Sequence, residues 1–250
     1  LSGAELLKIG YAANPRIGHI EPVKNVHVIA CGVLALDIQE IVRRLGIEIS
    51  FDFLPGGLHE RPLELRRRVQ QQIDAVSVNN RADRIVLGYG ACGMGTVGIA
   101  SRQIPLVLPR VNDCIALFLG SDAAYRREFG RYPGTYYISA GWVEEKAQPQ
   151  SDGQGPIRCG PDCYTLEQLT AKYGAENAEA IRHFLSSWQR NYHRAAVIDT
   201  GVPGRDKYAA IARGMAERFG WKYEEIAGSH DLLAKLLTAH HSTDRSEEHT

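Results

Sequence analysis

Apolar positions along the chain alternate between a period of two and a period near 3.6, the signatures of strand and helix. Residues 25–30 (NVHVIA) form a short β-branched run. Residues 33–45 have helical spacing and stop at Gly46, a good C-terminal signal. Residues 47–53 alternate as a strand. Pro55-Gly56-Gly57 then breaks the chain, and the spacing predicts a helix over 61–78. Pro62 falls in its first turn, where a missing N–H costs nothing. Residues 84–89 (RIVLGY) read as the next strand, followed by a glycine-rich turn. Residues 104–108 (IPLVL) predict another, then a helix from about 113 to 120, then a strand over 135–139 (TYYIS). Residues 146–163 are polar with Pro and Gly and read as a long loop. The stretch 166–192 is mostly helical in pattern. It is followed by a strand at 195–199, a helix at 208–219, a strand at 222–226 and a helix at 231–239. Strands alternating with helices predict an α/β fold with parallel sheets built from βαβ units.

A weak three-unit repeat lies under this order. The units start at the strands 26–30, 84–89 and 195–199, and each places polar residues after its strands. They match in element order, not in residue identity, so three pseudo-repeated units around a shared site are one reading and an ordinary βαβα series is the other. The expected organisation is an N-terminal extension over 1–24 and an α/β region with a Cys-rich site over 25–145. A loop or lid follows over 146–165, then a C-terminal α/β region over 166–242. The chain opens on Leu1, so a natural start is expected upstream. Residues 245–250 (RSEEHT) match one reading frame of a common sequencing-library adapter, so 243–250 are expected to be an artefactual tail.

Composition narrows the class. Hydrophobic residues are 44% and charged residues 23% of 250, as in an ordinary globular chain that buries its own core. Lys+Arg and Asp+Glu both number 29, so no basic excess points to nucleic acid and no acidic excess to a solvating tail. No apolar run approaches the roughly 18–20 residues that span a bilayer, so no membrane association is expected. Five cysteines are an odd number, in a chain large enough to need no disulfide framework. A cytoplasmic protein with free thiols is expected.

In α/β proteins, ligands bind at the carboxyl ends of parallel strands. Those ends carry Cys31, His59, Cys92, Asp113, Cys114, Asp199 and His230 in this chain. Cys31, Cys92 and Cys114 each follow a different strand, just ahead of a helix or a glycine-rich turn. A helix N-terminus favours thiolate. Three thiolates from three loops suit a soft metal. With His59 as fourth ligand the set fits zinc; with an open fourth position it fits catalytic zinc or a 4Fe–4S cluster. Ordinary buried cysteines, packing as small hydrophobes, are the plain alternative.

The segment 88–93 (GYGACG) formally fits the dinucleotide motif, but no helix follows directly and the glycines continue to Gly98. Gly90 and Gly93 are better read as giving backbone N–H groups close access to a ligand. His59 is a candidate ligand or general base. Arg61 and Arg110 suit a clamp on a carboxylate or phosphate. Asp113 either orients a histidine or caps its helix. Trp142 is a candidate pocket wall. Arg66-Arg67-Arg68 reads as a solvated helix face, and Cys159 and Cys163 sit in the long polar loop.

Several segments together resemble one family, the domain of unknown function family 1638. They are 54–59 (LPGGLH), 88–93 (GYGACG), 109–115 (PRVNDCI), 119–121 (LGS), 133–137 (PGTYY) and Gly141-Trp142. The likeness covers about residues 25–240. Members are encoded near corrinoid-dependent methylamine methyltransferases and other one-carbon genes. The resemblance therefore implies a role in methyl transfer from methylated amines or in its maintenance, with a corrinoid protein or methyltransferase as a partner. Many members carry His where this chain has Asn112, which weighs against an obligatory ligand there. The expectation is a thiolate–zinc enzyme acting on a small molecule, homo-oligomeric as such enzymes often are. The alternatives are a 4Fe–4S enzyme, and a non-enzymatic accessory that serves a corrinoid system or delivers a metal.

Overall fold

The computed structural model describes residues 6–8, 25–79, 82–101, 103–147 and 165–238. Most of the N-terminal extension, most of the expected lid with Cys159 and Cys163, and the tail lie outside the described residues.

The expected α/β architecture is present, as two sheets. The first holds β1 (Leu6–Lys8), β2 (Val26–Cys31), β3 (Ser50–Leu54), β4 (Arg84–Gly88) and β5 (Leu106–Pro109), in the order β1-β5-β4-β2-β3. Its last four strands in sequence run parallel, and β1 pairs antiparallel with β5. The second sheet holds β6 (Thr135–Ile138), β7 (Arg194–Asp199) and β8 (Lys222–Ala227), parallel and in chain order. The helices are α1 (Ala35–Leu45), α2 (Pro62–Val78), α3 (Cys114–Phe118), α4 (Asp122–Arg131) and α5 (Ala140–Ala147). They continue with α6 (Leu166–Tyr173), α7 (Ala175–Ser186), α8 (Arg205–Phe219) and α9 (Asp231–Thr238). None of the described helices is long and apolar enough to cross a membrane.

Strand alternation sorts the core into layers. Val26, Val28 and Ala30 of β2 face Leu34 and the α1 residues Ile38 and Ile41, together with Leu232, Leu233, Leu236 and Leu237 of α9. Ile29, on the opposite face, joins Ile85 and Leu87 of β4 and the α2 residues Leu65, Val69 and Ile73. The strands are thus covered on both sides, as parallel sheets require. Helix α9 follows the second sheet in sequence but packs on β4 and β5 of the first. Ile198 of β7 joins its cluster, so one core unites the two sheets.

The second sheet carries an aromatic cluster on its other side. Tyr136 stands 5.6 Å from Trp142, 5.4 Å from Trp188 and 5.7 Å from Trp221, ring centre to ring centre.

Several boundaries have clear physical causes. Gly46 ends α1 in the left-handed region at φ 61°. The long helix expected over 166–192 breaks at Gly174, φ 81°, and finishes in a 3-10 turn at Ser187–Asn191. Helices α4 and α5 had no counterpart among the expected elements. The first two units of the suggested repeat share the first sheet, while the third pairs β7 and β8 with β6.

Strand order locates the site. From β2 the chain moves outward to β3, then returns to place β4 and β5 on the other side of β2. The crevice between β2 and β4, where the winding reverses, is the standard ligand position in open α/β sheets. The second sheet winds in one direction and has no such reversal.

Candidate active site

Two cysteines flank that crevice. Cys31 is the last residue of β2, and Cys92 follows β4. Cys114 opens α3, after β5. All three are free thiols, partly buried. The loop carrying Cys92 is pinned by its backbone. Ala91 N–H donates to Val111 O and Cys92 N–H to Asn112 O, both at 2.9 Å. A side chain at Gly90 would lie 2.7 Å from Asp113 N, so only glycine lets these two loops touch. Thr96 Oγ1 closes the turn by donating to Gly90 O at 3.1 Å. Within it Cys92 (φ 46°) and Met94 (φ 71°) occupy the left-handed region. That conformation costs a non-glycine residue roughly 1–2 kcal/mol, and such strain collects at functional sites.

The thiols sense one another. Burial pushes Cys31 up to about 12, and Cys92 and Glu145 add to the shift. Burial raises Cys92 to about 11, with Asp113 contributing. Cys114 rises well above the ordinary thiol range through burial, then through Cys31, Cys92 and Asp113. The expected lowering by helix N-termini is therefore reversed. Cys31 precedes only a three-residue 3-10 turn, and burial outweighs the backbone hydrogen bond that favours thiolate at each of the three positions. Tyr89 is buried beside them and is raised too, by desolvation and then by Cys31, Cys92, Glu145 and Cys114. Its hydroxyl is buried without a hydrogen-bond partner. The charged neighbours acting on Cys31 and Tyr89 are all acids.

Glu145 was not among the residues singled out in the sequence. It reaches the first sheet from α5, and Gly56 N–H donates to its Oε1 at 2.7 Å. A Cβ at Gly32, next to Cys31, would overlap the carboxylate, and one at Gly56 would lie 2.9 Å from Cγ. The glycines after β2 and β3 therefore clear a seat for this side chain.

The other candidates lie around this group. His59 is exposed in the 3-10 turn Leu58–Glu60, whose Leu58 is buried, and its carbonyl faces Gly93. Arg61 and Arg110 are exposed, at the start of α2 and the end of β5. Gly90 is buried, and Gly93 is exposed in the left-handed region at φ 63°. Asp113 caps α3: its Oδ1 accepts from Ile115 N–H at 2.9 Å and its Oδ2 from Tyr125 OH at 3.1 Å. Trp142 is half-buried in the aromatic cluster. Among the described residues, no three His, Cys, Asp or Glu side chains already form a group that could hold a metal ion.

A second polar cluster lies inside. His230 Nε2 is 2.9 Å from Asp37 Oδ1, which also accepts from Thr200 Oγ1 at 2.6 Å. Asp199 accepts from Gly201 N–H at 3.0 Å and pairs with Arg205 at 3.1 Å. The strand-end residues of the third unit thus meet Asp37 and their own loop.

The family model described as "Protein of unknown function (DUF1638)" matches residues 53–237. The chain belongs to this family. The match takes in Cys92, Cys114, Glu145 and His230, while Cys31 and Asp37 precede it. No curated protein matches the chain. The crystal structure of arginase from Bacillus subtilis aligns over 87% of this chain and 99% of that one, at 9% identity and a TM-score of 0.24, too slight a likeness to argue from.

For this DUF1638 member, the arrangement offers three soft donors and one carboxylate at a strand-end crevice. The access to backbone N–H groups expected at Gly90 is not present: its open face is filled by the Asn112–Asp113 backbone and the Ala91 and Cys92 N–H groups are already bonded, so Gly90 joins two loops instead.

Proposed function

We propose that this protein is a metal-dependent enzyme whose soft cation is bound by Cys31, Cys92 and Cys114. One observation carries the reading: three thiols stand at the carboxyl ends of the adjacent strands β2, β4 and β5, on either side of the point where the first sheet reverses its winding. They lie among other acids, and a cation is the charge that lets buried thiols ionise. Among the described residues the thiols are not grouped as ligands, so holding a metal would require these loops to draw together. Zinc suits this donor set and, when bound, activates a thiol or water nucleophile. Around it, Arg61 and Arg110 stand exposed at the rim, suited to a carboxylate or phosphate of a substrate or a partner. His59 carries a proton or fills the fourth position. Gly90 lets the Cys92 and Cys114 loops touch, Gly93 leaves the rim open beside His59, Asp113 holds the Cys114 loop in place, and Trp142 backs the group from α5.

The reaction class is the one the family resemblance implies: methyl transfer from a small methylated amine, in the cytoplasm, with a corrinoid protein or methyltransferase as partner. A 4Fe–4S cluster is the second reading, favoured because three cysteines leave one iron open to substrate.

Anaerobic purification followed by elemental analysis and a visible spectrum tests both. About one zinc per chain without visible absorbance supports the zinc enzyme. Iron with sulfide and a broad visible band replaces it with the cluster. Full retention of metal in both Cys31→Ser and Cys92→Ser overturns the assignment of ligands.

A further inference from the structure

We propose that the groove between α4 and the end of β8 binds a small phosphate ester with an apolar body. The groove is a cavity of about 660 Å³, within the range of small-molecule sites. None of the three described thiols lines it, and it needs no metal, so it stands or falls separately from the reading above.

Its walls divide by chemistry. Leu119, Ala124, Ile226 and Ala227 supply apolar surface, and Arg127 and Arg131 supply charge. Ile226 and Ala227 are the last residues of β8, and ligands of parallel sheets sit at that end of the strands. Leu119 follows α3. Ser229 N–H donates to Phe118 O at 2.9 Å, which fastens the turn after β8 to the end of α3 and fixes that wall.

The arginines of α4 differ in their pairing. Arg126, which does not line the groove, pairs with Asp122 at 2.5 Å, one turn back. Arg127 and Arg131 both line it, and neither forms a hydrogen bond or ion pair among the described residues. Glu128, the one acid on the wall, is already engaged: its Oε1 accepts from the buried Arg194 Nη2 at 2.6 Å. The groove therefore holds two cations without a countercharge of their own. Side chains four apart on a helix start about 5–6 Å from each other, so both guanidinium groups can reach one anion. A phosphate monoester, with two charges and three free oxygens, can engage both forks, whereas one arginine already fills a carboxylate. Like charges at this spacing repel, and a shared dianion reverses that cost. Both arginines are exposed and α4 buries none of its residues, so a ligand has access to this face. The apolar wall takes the organic part of the ester.

Calorimetric titration of the full chain with phenyl phosphate, inorganic phosphate and benzoate tests the site. The variants are Arg127→Gln, Arg131→Gln, Ala124→Leu, which fills the apolar wall, and Arg126→Gln as control. Circular dichroism checks folding, which these non-buried positions are expected to leave intact. Phenyl phosphate is expected to bind more tightly than inorganic phosphate. Arg127→Gln and Arg131→Gln are each expected to weaken it about 10-fold. Ala124→Leu is expected to weaken phenyl phosphate and spare inorganic phosphate, and Arg126→Gln to change neither. No saturable binding of phenyl phosphate overturns the proposal, as does an equal loss in Arg126→Gln, which would mean surface charge alone. Benzoate binding as tightly as phenyl phosphate overturns the assignment of phosphate, and inorganic phosphate binding as tightly overturns the role of the apolar wall.

Discussion

His230 Nε2 and Asp37 Oδ1 lie 2.9 Å apart in the interior, tying the turn before α9 to the first turn of α1. Thr200, after β7, joins the same oxygen. One carboxylate therefore links elements that pack on both sheets. Asp37→Ala removes the partner of two buried groups at once. The expected cost is about 2–4 kcal/mol, measured by urea unfolding. A midpoint unchanged from wild type would show that the cluster contributes nothing.

Met94 holds φ 71° with its side chain exposed, so it pays the backbone cost without a packing return. Met94→Gly is expected to raise stability by roughly 0.5–1 kcal/mol. Met94→Val is expected to lower it, because a β-branched residue tolerates this region least. Denaturant midpoints for the pair give the signs.

Two glycine-to-alanine changes should move in opposite directions. Gly214 lies inside α8 with open space around it, and Gly214→Ala is expected to stabilise by about 0.5–1 kcal/mol. Gly32→Ala drives a methyl group into the Glu145 carboxylate. It is expected to cost about 1–3 kcal/mol. Equal unfolding midpoints for the two variants would refute the seat described above.

Raised thiol pKa values fix a pH dependence for the metal-free protein. Cys92, at about 11, and Cys31, at about 12, stay protonated at neutral pH. Their alkylation by iodoacetamide should therefore be slow near pH 7–8 and climb steeply above pH 9. The unfolded thiols ionise near the ordinary thiol value of 9.0, so above it the native state holds protons that the unfolded state has released. Stability from this source is complete below about pH 9 and falls as pH rises toward 11–12. A rate already at its plateau at pH 8 would contradict the burial described here.

The sheets and most helices were legible because strand runs such as 26–30 and 84–88 are buried on both faces and unbroken in hydrophobicity. Helix α4 was not, because none of its residues is buried and no apolar stripe marks it. The cysteines could be placed at strand ends from local pattern alone. Their ionisation could not, since burial is a property of packing that no local spacing encodes. Glu145 escaped notice for the same reason: in the run WVEEK it looks like any solvated helix residue. Only contact with Gly32 and Gly56, far off in sequence, sets it apart from Glu144.

The aromatic cluster decides what a fluorimeter can see. All three tryptophans of the chain ring Tyr136, on the second sheet. Trp188 and Trp221 report the state of that sheet, while Trp142 also packs against the core cluster of the first. With Trp142 replaced by Phe, indole light would follow the second sheet alone and thiol chemistry the first.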